Sequence, residues 1–185
     1  VPELFYTLNT FKLKIVFSVT NFIQVNGEVN ERIVELVSDW LRPGEQDCVL
    51  DLFCGLGNFS LALAGNSHRV IGIEGDRTLV AQARTNAKVN NIDNVRFEVL
   101  DLYGESLADW DPEYFSRVLI DPPRSGALEA LNAVSTKIKP EMIGYVSCNP
   151  ATFARDAAYL TESGEYQLDK LAVADMFPHT SHVET

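Results

Sequence analysis

The 185 residues carry a formal charge of −11 and are 46% hydrophobic, enough for one globular domain with a substantial core. No run of about 18 apolar residues could span a bilayer, and the N-terminus lacks the basic-then-apolar order of a signal peptide, so the chain reads as soluble and cytoplasmic, with no membrane partner. Its three cysteines, Cys48, Cys54 and Cys148, are too few and too scattered for a disulfide framework or a metal cluster, and the negative charge opposes any phosphate backbone unless basic surface is supplied elsewhere.

The first 25 residues hold two apolar-polar alternations, LFYTLN and FKLKIVFSV, around Asn9 and Thr10, which predicts a β-hairpin. From Glu28 to Leu41 the apolar positions Val29, Ile33, Leu36, Val37, Trp40 and Leu41 follow helical spacing until Pro43 and Gly44 stop it. Strands are expected at Cys48 to Phe53, Arg69 to Glu74, Val95 to Leu100, Arg117 to Asp121, Glu141 to Ser147 and roughly Tyr166 to Asp175. Helices are expected near Asn58 to Ala64, Arg77 to Asn90, Ala127 to Ile138 and Ala151 to Glu162, with the connection through Asp109 to Tyr114 ambiguous. This alternation predicts an α/β fold with a mostly parallel sheet, ordered 3-2-1-4-5 with the sixth strand beyond the fifth.

VLDLFCGLGNFSLALA places an apolar strand before a Gly-x-Gly turn and an apolar helix, so the backbone turns sharply and can pass close to a ligand. A bare Gly-x-Gly also suits a tight turn that binds nothing; the surrounding acids favour a ligand. Ser60 stands where a dinucleotide fold would place a third glycine for pyrophosphate, and Asp51 before the turn favours a cation. Glu74, at the end of the next strand, has the spacing of a ribose-binding carboxylate, and Asp101 follows the third strand. Together they suit S-adenosyl-L-methionine, whose sulfonium and amino groups are positive and whose ribose offers two hydroxyls.

RVLIDPPRSG ends a buried strand in Asp121 and then fixes the backbone with two prolines, a rigid wall at the strand ends where α/β sheets bind ligands. YVSCNPATFARD puts Cys148 at the end of the fifth strand, just ahead of a helix opened by Pro150. An isolated cysteine is usually a small buried hydrophobe. Here the helix N-terminus is expected to lower the thiol pKa, and the polar neighbours Ser147 and Asn149 favour a pocket. Cys54, with no polar neighbour, and Cys48, at a strand start, read as packing residues.

FSVTNFIQVN, DLFCGLGNFSLALA, GIEGDRTLVAQARTNAKVNN, DPPRSG, YVSCNPATFARD and DMFPHTSHVE resemble the RNA 5-methyluridine (uracil-5-) methyltransferase family in order and separation, most of all its bacterial 23S ribosomal RNA branch. The resemblance implies a Rossmann-like class I S-adenosylmethionine-dependent methyltransferase fold, with residues 1–25 the hairpin remnant of a preceding module and 26–185 the catalytic domain, ending before its last strand. It implies Cys148 as nucleophile and Glu184 as base, and Gln24, Phe53, Asn58, Glu74, Asp101 and Asp121 as cofactor-site positions. Val19 departs from the proline that the family usually places two residues after the phenylalanine matching Phe17. The family's N-terminal RNA-binding module, and the iron-sulfur cysteines that some members carry, are not within this chain; an iron-sulfur cluster is expected only in that preceding region.

The implied partner is RNA, ribosomal in that branch, and the implied chemistry is thiolate addition to uracil carbon 6, methyl transfer to carbon 5 and proton removal by a base. Arg124 and Asn149 are candidate donors to the extruded base. Two rivals stand beside this reading: an adenine amino-methyltransferase, whose Asp-Pro-Pro loop would orient an amine but would leave Cys148 without a task, and a cofactor-binding fragment unable to modify RNA alone. The sequence does not set the oligomeric state.

Overall fold

The computed structural model describes residues 3–103, 114–176 and 183–185. Part of the ambiguous connection that opens at Asp109 lies outside them. An antiparallel hairpin, β1 (Leu4–Leu8) and β2 (Leu13–Phe17), comes first. Its tight loop closes through a Lys12 amide donating to the Asn9 carbonyl at 3.1 Å, and Lys12 takes the left-handed conformation. Five parallel strands follow: β3 (Cys48–Leu52), β4 (Arg69–Glu74), β5 (Val95–Val99), β6 (Arg117–Ile120) and β7 (Met142–Tyr145), ordered β5-β4-β3-β6-β7. This is the expected 3-2-1-4-5 order of the sheet strands.

The helices are α1 (Gly27–Leu41), α2 (Asn58–Ala64), α3 (Arg77–Val89), α4 (Leu128–Ala133), which runs into a π-turn over Val134–Ile138, and α5 (Pro150–Glu162). Their starts are written in the sequence. Asn26, Asp76 and Asn149 each accept a backbone N–H from the first turn of α1, α3 and α5 respectively, satisfying donors that a helix leaves unpaired.

Strand periodicity divides the core in two. Val49, Val70 and Leu119 face one side with the hairpin, α1, α2 and α3. Their neighbours Leu50, Ile71, Val118 and Ile120 face the other with α4 and α5. The hairpin is built into the first of these layers: Leu8 and Ile15 are fully buried there.

The expected sixth strand is not formed. Residues 166–173 have no strand pairing, and Leu168, Leu171 and Val173 are exposed. Ala174 instead forms an antiparallel bridge with Glu184, while Thr185 exchanges both backbone hydrogen bonds with Ser147 at 2.8 Å. The C-terminal residues thus take the pairing partners just past β7 that a sixth strand would have needed. Along β7, a cavity of about 740 Å3 lies between α1, α5 and residues 164–172, reaching Glu184 at one end.

Candidate active site

The sheet ends in step. Cys54 donates to the Ile73 carbonyl, Leu100 to Glu74, Asp121 to Leu52 and Val146 to Ile120, at 2.9–3.2 Å. The residues after β3, β4, β5, β6 and β7 therefore share one edge, and the crevice between β3 and β6 is the switch point at which such folds bind ligands.

The turn after β3 is compressed: Phe53, Gly55 and Gly57 all have positive φ, which for Phe53 is a strained conformation that the fold must impose. A Cβ on Gly57 would lie 3.0 Å from Phe97, and one on Gly72 beneath it would lie 2.6 Å from the same ring, so both glycines give Phe97 the room to support the turn. Cys54 is buried in that packing, and burial pushes its thiol well above its ordinary value, as a packing residue requires. Phe53 sets its ring 5.5 Å from that of Tyr103.

Glu74 is oriented by its own backbone surroundings: Gly55 N–H donates to Oε2 at 3.2 Å and Asp76 N–H to Oε1 at 3.0 Å. Each carboxylate oxygen keeps a lone pair for a ligand hydroxyl. Asp101 is exposed and accepts the Tyr103 N–H at 2.9 Å. Asn58 opens α2, where Tyr6 and Asn30 hold its side chain. Gln24 is half-buried on the segment joining β2 to α1. That segment is held without the family proline: Val19 is 86% exposed, and Asn21 Oδ1 accepts both the N–H and the hydroxyl of Ser18.

Asp51 is fully buried. One oxygen accepts the Ser60 hydroxyl, so the residue that replaces a dinucleotide-fold glycine has a task the sequence did not disclose. The other, Oδ1, has no partner. Burial pushes this carboxyl up to about 7, against the Ser60 hydrogen bonds and with the charge of Glu74 adding to the rise. An orphaned buried carboxylate oxygen beside the glycine turn fits a cationic group far better than a phosphate.

Asp121 is half-buried and burial holds its carboxyl well above the usual range, with Glu184 and Asp51 contributing in turn. Cys148 is half-buried as well. Its thiol is raised, contrary to expectation: burial and the carboxylates of Glu184 and Asp121 outweigh the charge of Arg124 and the backbone hydrogen bond. Glu184, 95% buried, is brought here by the Thr185–Ser147 pairing. The structure therefore assembles Asp51, Glu74, Asp121, Cys148 and Glu184 at one edge.

Asn149 is engaged by the fold at both ends of its amide. Its Oδ1 caps α5 and its amide donates to the Arg124 carbonyl at 3.1 Å, where Thr152 Oγ1 also donates at 3.2 Å. Deeper in, the buried Asp156 accepts the Ala127 N–H at 2.8 Å, the Tyr145 hydroxyl at 2.6 Å and the Arg155 guanidinium at 2.8 Å, while Arg155 reaches the Ser125 carbonyl at 3.0 Å. These side chains of α5 hold the Asp-Pro-Pro loop rigid. Their only signal in the sequence was the charged pair at the end of ATFARD. Among the described residues, no group of three or more His, Cys, Asp or Glu could hold a metal ion.

A doubly wound parallel sheet with acids at its switch point and a cysteine two strands away defines a Rossmann-like methyltransferase fold. Solved structures agree: the precorrin-6y C5,15-methyltransferase of Geobacter metallireducens matches the fold at TM-score 0.67 with 18% identity, over 83% of this chain and 85% of that one. The profile of the tRNA (Uracil-5-)-methyltransferase family matches residues 7–109 and 102–185, and the chain belongs to that family. It is 49% identical over 175 residues to the 23S rRNA (uracil(1939)-C(5))-methyltransferase of Haemophilus influenzae, covering 94% of this chain and 39% of that protein. With the corresponding enzyme of Psychromonas ingrahamii it shares 46% over 99% of the chain and 41% of that protein. The Pyrococcus abyssi tRNA (uracil-54, C5)-methyltransferase, crystallised with S-adenosyl-L-homocysteine, superposes at TM-score 0.83 with 33% identity, over 98% of this chain and 43% of that one. The chain thus spans about two fifths of the curated relatives it matches.

Proposed function

We propose that these residues are the catalytic part of an S-adenosylmethionine-dependent RNA uracil-C5 methyltransferase acting on 23S ribosomal RNA in the cytoplasm. The observation that carries the reading is the convergence of Cys148, Glu184, Asp121 and the unpartnered Asp51 Oδ1 at one sheet edge. Ribosomal RNA is favoured over transfer RNA by identities of 46–49% against 33%. With a formal charge of −11 these residues repel phosphates, so the basic surface that RNA binding needs is assigned to a part of the longer protein outside them.

Bound S-adenosylmethionine would supply an electrophilic methyl group. Glu74 would accept the ribose hydroxyls, the Phe53–Asn58 turn would lie along the cofactor, and Asp51 and Asp121 would face its positive groups. Gln24 and Asp101 are assigned to the same pocket.

Cys148 as thiolate would add to carbon 6 of the uracil and pass the ring electrons to carbon 5, which could then take the methyl group as its bond to the sulfonium sulfur breaks and S-adenosyl-L-homocysteine leaves. Glu184 removes the carbon 5 proton; the freed pair re-forms the double bond and expels the Cys148 sulfur. The Asp-Pro-Pro wall, pinned by Asn149, Thr152 and Asp156, holds the extruded base between sulfur and methyl group. Placing a uracil there takes it out of any stack, at a cost of a few kcal/mol that pocket contacts must offset. Burial and the neighbouring carboxylates hold the Cys148 thiol up, so they work against the thiolate that the addition step needs. Incubating the intact protein with unmethylated 23S rRNA and labelled cofactor tests the reading. Label confined to carbon 5 of a uridine is the expected product; label on an adenine amine would establish the rival chemistry.

A further inference from the structure

Two side chains outside the assigned site tie the glycine turn to the N-terminal hairpin. At the far end of the turn, the Tyr6 hydroxyl on β1 donates to Asn58 Oδ1 at 2.9 Å. Asn30 Nδ2 donates to the same oxygen at 3.1 Å, and Asn58 Nδ2 returns a bond to Asn30 Oδ1 at 3.0 Å. Both lone pairs of the Asn58 oxygen are thus filled and one of its two amide hydrogens is used. The amide is fixed in one orientation with its remaining N–H to offer. Burial keeps the Tyr6 hydroxyl protonated, and so a donor.

Nearer the start of the turn, Asn86 on α3 is fully buried. Its Oδ1 accepts the Val16 N–H at 2.9 Å, and its Nδ2 donates to both the Val16 carbonyl and the Leu56 carbonyl at 3.1 Å. One amide thus bonds the edge of β2 as a neighbouring strand would, and bonds the glycine turn as well. One helical turn later, Asn90 makes the same pair of bonds to Lys14, at 2.8 Å each, and does not touch the glycine turn.

We propose that Tyr6 and Asn86 are positioning residues of the cofactor turn, locking it at Asn58 and Leu56 to the hairpin and so making the hairpin a working part of the cofactor site. The inference rests on the cofactor reading above. It follows that the turn, strained at Phe53 and left-handed at Gly55 and Gly57, owes its shape to an element far from it in sequence.

Asn90 provides the internal control: its side chain bonds Lys14 of the hairpin and the Asn86 carbonyl, at 2.7 Å, but makes no bond to the turn, so its loss leaves the Asn86–Leu56 bond in place. The chain, its Tyr6→Phe, Asn86→Ala and Asn90→Ala variants are titrated with S-adenosyl-L-homocysteine by calorimetry, and their melting temperatures recorded. Asn86→Ala and Asn90→Ala should both melt earlier. Only Asn86→Ala and Tyr6→Phe should bind more weakly, by roughly three- to tenfold, the fold-change that goes with one net hydrogen bond; Asn90→Ala should stay within about twofold. If Asn86→Ala does not fold, Tyr6→Phe decides alone, since it removes one oxygen and leaves the ring. A parent chain that fails to bind the probe overturns the cofactor reading and this inference with it. A parent chain that binds, with Tyr6→Phe and any folded Asn86→Ala at its affinity, overturns the inference alone.

Discussion

On the proposed chemistry Cys148 and Glu184 act on opposite sides of one covalent intermediate, so their loss should fail differently. In the intact protein Cys148→Ala should abolish methylation and adduct together. Glu184→Gln should still add and methylate but retain the carbon 5 proton, leaving a denaturant-resistant complex with methylated RNA that a gel resolves. Normal turnover by Glu184→Gln, with no complex, would assign the base elsewhere. Asp51 makes a separate prediction about pH. Its folded value, about 7, lies above the unfolded value near 4, so between those limits the folded chain holds a proton that the unfolded chain has released. Its contribution to stability is therefore complete below about pH 4 and falls as pH rises to 7. The stability gained by Asp51→Asn should grow across that window, reach on the order of a few kcal/mol and level off above it, as urea midpoints at several pH values would show; cofactor affinity should fall in the same variant. The strand-end acids and Cys148 were legible in the sequence, because position after a strand fixes where a side chain emerges. Ser60, Asn30 and Asn86 were not, because their partners sit 9, 28 and up to 70 residues away.

At the scale of elements, the Asp-Pro-Pro loop depends on α5 for its shape. Asp156→Ala would leave the Ala127 N–H and the Tyr145 hydroxyl without their acceptor and strip Arg155 of its buried partner. A loss of about 3 kcal/mol or more is expected in denaturant unfolding. Gly126→Ala should be similarly harmful, since φ is +80° and a Cβ would lie 2.5 Å from Asp156; a variant as stable as the parent would contradict the packing described. Helices and central strands were predictable to within a residue or two, as caps and buried runs are local signals. The segment from Tyr166 to Asp175 departs from its expected strand because its apolar residues only imitate one, whereas pairing is decided by what else reaches β7, and Ser147 pairs with Thr185. The Cys148 thiol shifts opposite to the expectation for the same reason. A helix N-terminus is visible in the sequence, while the burial and the carboxylates that outweigh it arrive through the fold.

For the molecule as a whole, charge and chemistry pull apart. With a net −11, the isolated chain should bind RNA weakly and with a shallow salt slope, because few counterions are released; tight binding that collapses between 50 and 200 mM salt would place a basic surface on this domain. The central claim concerns the covalent step, and 5-fluorouracil in the RNA isolates it. After Cys148 adds and the methyl group transfers, carbon 5 carries fluorine where Glu184 needs a proton, so elimination cannot follow and the protein should remain bonded to the RNA. The intact protein, incubated with fluorouracil-substituted 23S rRNA and S-adenosylmethionine, then digested and mapped by mass spectrometry, should yield a methylated fluorouracil on the peptide that contains Cys148. Methyl transfer to RNA with no such adduct, or an adduct on Cys54 or Cys48, would contradict the account.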